Sequence, residues 1–124
     1  MTTPDAIAIF AVDRSDENGI CALVDAVCSD DQSGEVHCEC TLIVRGHNGK
    51  AFIVIEWFGI PFEDVRDSMR TVLGDRLGER YVRALHRGST PIAQETSRLI
   101  ASGEWAGATR ISGSAAARTL LRGN

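Results

Sequence analysis

His37-Cys38-Glu39-Cys40 is the densest run of metal-ligating and nucleophilic side chains in the chain. A zinc site needs cysteine and histidine converging on a tetrahedron, usually from a knuckle with two to four residues between the cysteines. Cys38 and Cys40 alternate with His37 and Glu39, so on a strand the thiols share one face and the imidazole points to the other. Cys28 could approach them across a hairpin, but no C-x-x-C pair is present. Cys28, Cys38 and Cys40 are therefore read as reduced, small apolar side chains that fill a core, and no metal or cofactor is assigned.

Carboxylates offer a second chemistry. In the strand pairing derived below, Asp25 lies directly across from Glu39, and Glu56 lies across from Thr41, beside Glu39. Like charges facing each other across paired strands repel unless water, an arginine or a cation compensates them. With His37 nearby, the same group could serve acid/base catalysis or hold a divalent metal. A third group is cationic. Arg76, Arg80, Arg83 and Arg87 recur at helical spacing and make one basic face, of the kind that binds phosphate backbones. No aromatic residues interleave with it, and the whole chain carries a net charge of −4. Phosphate loops, a G-x-S-x-G elbow and an H-E-x-x-H helix are absent.

The elements that position these groups follow from periodicity. Asn48-Gly49 separates two β-branched, aromatic-rich runs, which is a hairpin signal because both residues tolerate positive φ. A two-residue turn there pairs Val44 with Ile53, Leu42 with Ile55 and Cys40 with Trp57. One face of the hairpin is then Val36, Cys38, Cys40, Leu42, Val44, Ile53, Ile55 and Trp57, apolar throughout and assigned to the core. Ala6 to Val12 reads as a first strand. Ile20 to Cys28 reads as a second, after a polar turn ending in Asn18-Gly19, and it pairs Ala26 with Cys38 and Val24 with Cys40. The opposite face mixes Leu23, Ile43, Phe52, Val54 and Phe58 with Asp25, Glu39, Glu56 and His37. That face is too apolar for open water, so something covers part of it.

Beyond Pro61 the period becomes helical. Phe62, Val65, Met69, Val72 and Leu73 form one stripe, and Leu77, Tyr81, Ala84 and Leu85 form another that does not align with it. Two helices, or one sharply kinked near Gly74-Asp75, account for the offset. Thr90-Pro91 starts a further helix with cap and first-turn proline. Its apolar face is Ile92, Thr96, Leu99 and Ile100, and Gly103 ends it. Residues 104–113 read as irregular around Trp105, and 114–122 as a short helix.

With 124 residues, 44% hydrophobic and 24% charged, the composition is that of one soluble globular domain. No apolar run reaches the roughly 20 residues of a membrane helix, and the N-terminus has no basic segment before its short apolar run. A cytoplasmic protein is expected. Charge is divided along the chain: residues 1–65 carry twelve acids and three bases, residues 66–124 five acids and ten arginines.

The expected fold is a single α+β domain over residues 1–124, a four-stranded antiparallel β-meander followed by three or four helices packed mainly on one face. The sheet spans 6–58 and the helical part 61–122. The expected function is non-catalytic binding of another macromolecule, as in inhibitor, immunity or adaptor proteins. Asp25, Glu39, Glu56, His37, Phe52, Phe58, Arg76, Arg80, Arg83 and Arg87 are the candidate contacts. The partner is another protein or a second copy of the chain, as a homodimer. The alternatives are a nucleic-acid-binding regulator using the arginine face, and a small enzyme or metal protein using the sheet carboxylates and His37.

Overall fold

A computed structural model of the chain describes residues 3–30, 37–44 and 50–122, with side chains for all of these except 26–30, 37 and 72–81. The described elements are β1 (Ala6–Asp13), α1 (Glu17–Asp30), β2 (His37–Val44), β3 (Lys50–Phe58), α2 (Phe62–Ala84), β4 (Leu85–Arg87), α3 (Pro91–Ser102), β5 (Ala108–Ile111) and α4 (Ser114–Leu121). The class is α+β, with a five-stranded sheet in the order β4-β1-β3-β2-β5 and every described pairing antiparallel. The expected meander is corrected: β3 sits between β1 and β2, and short strands from the later half of the chain form both edges.

The segment expected to be the second strand is helix α1. Ile20, Cys21, Leu23 and Val24 are buried while Ala22 and Asp25 are exposed, a period of 3.6 rather than 2. Asp16 caps it: the Gly19 amide donates to Asp16 Oδ1 at 3.2 Å, and Ile20 N donates to Asp16 O at 3.0 Å. Such a cap satisfies amides that the first helical turn leaves without partners. Asp13 turns the chain just before it, accepting from both the amide and the hydroxyl of Ser15; those bonds hold its carboxyl below the usual range. Asn18-Gly19 is thus part of a helix start and not a hairpin turn.

The β2–β3 pairing aligns Cys38 with Trp57, Cys40 with Ile55, Leu42 with Ile53 and Val44 with Ala51. This differs by two residues from the expected register, and residues 45–49, including Asn48-Gly49, lie outside the described part. Because side chains alternate with period 2, an even shift moves no residue to the other face. Leu42, Ile53 and Ile55 are fully buried, Trp57 nearly so, and Val65 and Met69 of α2 join their cluster. Cys40 is buried there too, whereas Cys38 and Val44 are only partly buried against it. Cys28 and Val72 fall outside the described side chains.

That core face is roofed by α1, α2 and α4. Ile20 and Val24, Val65 and Met69, and Ala117 and Leu121 all pack into the cluster with Ala6, Ala8 and Phe10 of β1. Each fully buried large apolar side chain contributes roughly 1.5–3 kcal/mol relative to exposure. Helix α4 is tied to α1 by Arg118 and Arg122, both on Glu17 Oε1 at 2.9 and 3.1 Å. These contacts hold the Glu17 carboxyl below its usual range.

The opposite face is covered as well. Ala93 of α3 is fully buried with Ile7, Ile43 and Val54, and Ile9, Phe52, Ile100, Trp105 and Ala108 pack around them. Helix α3 begins as expected, with the Ala93 amide donating to Thr90 Oγ1 and Pro91 in the first turn. Its buried positions are Ala93 and Thr96, whereas Ile92, expected on the apolar face, is 50% exposed. Helix α2 runs from 62 to 84 as one element, so Gly74 does not end it; a glycine inside a helix costs only about 1 kcal/mol. Among the described residues no helix is long and apolar enough to cross a membrane.

Candidate functional site

The rows of the sheet beneath α3 assemble the most polar group in the interior. Glu39 and Glu56 stand directly opposite each other on β2 and β3. Thr41 follows one row on, between Val54 of β3 and Arg110 of β5. Arg110 grips Glu39 through two bonds, Nη1 to Oε1 and Nη2 to Oε2, both 2.9 Å. This forked geometry is the stronger form of an arginine–carboxylate pair. Glu56 is 3% exposed and accepts from Ser97 Oγ of α3 at 2.8 Å through Oε2. Burial pushes its carboxyl above the usual range and the facing Glu39 adds to this, while the Ser97 bond and the Arg110 charge act the other way.

Two buried atoms are left without a hydrogen-bond partner among the described residues, Glu56 Oε1 and Thr41 Oγ1. Such atoms are uncommon because each forfeits its hydration with no bond in return. Thr41 lies on the wall of an open cleft of about 390 Å³ between the end of α3 and β5, lined also by Ile100, Ala101, Gly103, Trp105, Ala108 and Arg110. Small side chains at 101 and 108, with none at Gly103, leave the space open. Phe52 supports the Trp105 ring, with centroids 6.5 Å apart and planes tilted by 47°. Gly107 allows the chain to turn into β5: its φ is +84°, and a Cβ there would meet Val44 O at 2.5 Å.

The expected contacts are dispersed over the molecule. Asp25 is not across from Glu39. It lies on α1, over the core face, exposed, and accepts from the Ser114 amide at the start of α4 at 3.3 Å. The register also corrects Glu56, which faces Glu39 and not Thr41. The constellation of three carboxylates therefore reduces to the pair Glu39 and Glu56. His37 pairs with Phe58 at the end of the strands, and its side chain is outside the described part. Phe52 and Phe58 are half-buried, Phe52 beneath Trp105.

The arginine face is interrupted. Helix α2 ends at Ala84, and Leu85 is extended at φ −87° and ψ 129°, so Arg87 belongs to β4 and not to a helix. It pairs with Glu63 at 2.6 Å and stacks over the Phe62 ring at 4.4 Å. Arg83 is exposed in the last turn of α2; the side chains of Arg76 and Arg80 lie outside the described part. Among the described residues no group of three His, Cys, Asp or Glu is placed to hold a metal ion.

Thr41, Ser97, Trp105 and Arg110 were not among the expected contacts. Thr41 and Arg110 are joined only by the β2–β5 pairing, and β5 lies where the sequence shows no strand period. Ser97 is next to Thr96 on the face that α3 turns to the sheet, and that adjacency was its one available signal. No protein-family model matches the chain, and no significant match is found among curated proteins or solved structures.

Proposed function

We propose that the chain is a small non-catalytic protein that binds another protein through the α3–β5 side of the sheet. One observation carries this reading: the cleft at Trp105 is open, of side-chain size, and walled by Thr41, whose buried hydroxyl has no partner among the described residues. An aromatic residue held rigid at the edge of such a recess is a common anchor of protein interfaces. Against a homodimer through the sheet, α3 and Trp105 pack over Ile43, Val54 and Phe52, three of the apolar side chains that had suggested it. The ion pair and ring stacking of Arg87 engage one of the four arginines that had suggested nucleic acid.

A photo-cross-linking amino acid at Ala101, an exposed residue of the cleft, tests this in the source cell. A discrete adduct with another protein is expected from position 101 and not from position 70, exposed on α2. No adduct from 101, or the same adducts from both positions, overturns the reading.

A further inference from the structure

The geometry points to an extended strand of a partner protein as the occupant of this side, added to the sheet along the outer edge of β5. The inference rests on the binding reading above and names the manner of contact, which is backbone pairing. Val44 N donates to Gly107 O at 3.3 Å, and this fixes the phase of the β2–β5 ladder. In an antiparallel pair, residues that bond the neighbouring strand alternate with residues whose amide and carbonyl point away from it. Continuing the register from Gly107, Thr109 and Ile111 bond to β2, while Ala108 and Arg110 turn their backbone groups outward. The Ala108 amide is used locally, donating to Trp105 O at 3.2 Å. Among the described residues nothing bonds to the Ala108 carbonyl or to either backbone group of Arg110. The opposite edge of the sheet is different. On β4, Leu85 N donates to Val82 O, and Arg87 O accepts from both the amide and the hydroxyl of Thr90.

The Arg110 side chain does not blunt the β5 edge, because its guanidinium reaches inward over β2 to Glu39. An open edge of this kind is a template for a further strand. A guest residue opposite Arg110 exchanges a pair of backbone bonds with it, and the next outward-facing position, the Ala108 carbonyl, accepts another. Guest side chains on the α3 face then stand beside Ala108, whose methyl leaves the way to Trp105 and the cleft open. A second copy of the chain fits less well. Pairing two β5 strands about Arg110 sets like charges opposite each other. Setting Ala108 against Arg110 instead forfeits bonds, since both Ala108 amides are already taken.

The photo-cross-linker at Ala101, used in the source cell, reads the test through two variants. Proline lacks an N–H and is tolerated where the amide of an edge strand faces outward. Arg110→Pro should cut the yield of the partner adduct about tenfold below Arg110→Ala, which loses the same side chain but keeps the amide. Equal yields from the two folded variants overturn the inference. If Arg110→Pro does not fold, amide exchange in the ¹⁵N-labelled, cross-linked chain decides. The Arg110 amide should exchange about tenfold more slowly in the adduct than in the free chain, and unchanged exchange overturns the added strand. An adduct of twice the chain's own mass assigns the edge to a second copy and likewise overturns it. An adduct from position 101 that is equal in both variants leaves the protein-binding reading standing, whereas no adduct from the unsubstituted edge removes both.

Discussion

Glu39 and Glu56 face each other across β2 and β3, yet each is held by a different element, Glu39 by Arg110 of β5 and Glu56 by Ser97 of α3. The repulsion between them is divided between an edge strand on one side and a covering helix on the other. Polar contacts at this one row therefore tie the edge strand and the covering helix to the sheet.

Removing the charge of Glu56 should stabilise the fold at neutral pH. A carboxyl whose value is raised on folding contributes stability that is fully present below its unfolded value and is lost as pH rises through the folded value. Glu56→Gln should abolish that loss and raise stability by on the order of 1 kcal/mol at pH 7, with little change near pH 4. Urea denaturation across this range measures it. A wild-type chain that gains stability over the same interval relative to Glu56→Gln would show the sign to be wrong.

Ser97→Ala removes the bond that α3 gives to Glu56 and should destabilise by about 1–3 kcal/mol. The loss should be smaller in acid, where the carboxyl is neutral. Hydrogen exchange should quicken first in α3, before the strands it covers. Uniform quickening would mean that Ser97 does not fasten that helix.

Leu42 is fully buried between β2 and the roof of the core face. Leu42→Ala should cost about 2–5 kcal/mol through lost transfer energy and the cavity left behind. A shift in the denaturation midpoint worth less than about 1 kcal/mol would place this residue outside the well-packed centre.

Two glycines with similar backbone angles should respond differently. Gly103 has φ +75° with nothing within 4 Å of where a Cβ would stand, whereas Gly107 has φ +84° with Val44 O at 2.5 Å. Gly103→Ala should cost about 1 kcal/mol for the left-handed conformation alone. Gly107→Ala adds a clash with backbone and should cost clearly more, about 2 kcal/mol or above. Thermal melts of the two variants side by side decide it.

Much of the sheet was legible because its strongest signals are local. The alternation from Cys38 to Val44 and from Ile53 to Trp57 identified the buried face, and an error of two residues in register left that face intact. Helix α1 was not legible in the same way. Ile20 to Cys28 satisfies both a period of 2 and a period of 3.6, and Asn18-Gly19 reads as a turn unless Asp16 is seen as a cap. Strands β4 and β5, three and four residues long, are too short to carry any period and exist because the edges of β1 and β2 recruit them. The polar group under α3 depends on both β5 and the covering helix, so only its centre, Glu39 and Glu56, was visible beforehand.

The junction of α1 with α4 has a consequence for the order of events at synthesis. Arg14 donates to Leu121 O across 107 positions, and Arg118 reaches Glu17 across 101. Leu121 and Ala117 complete the same core that Ile20 and Val24 begin. A ribosome emits α1 long before α4, with every other strand and helix but β1 in between. The roof of the core therefore stays open until α4 has emerged, and the nascent chain must hold its apolar sheet face unsealed while all the intervening elements are made. Long-range closure of this kind is slow, and the exposed intermediate is the species a cell's chaperones would meet.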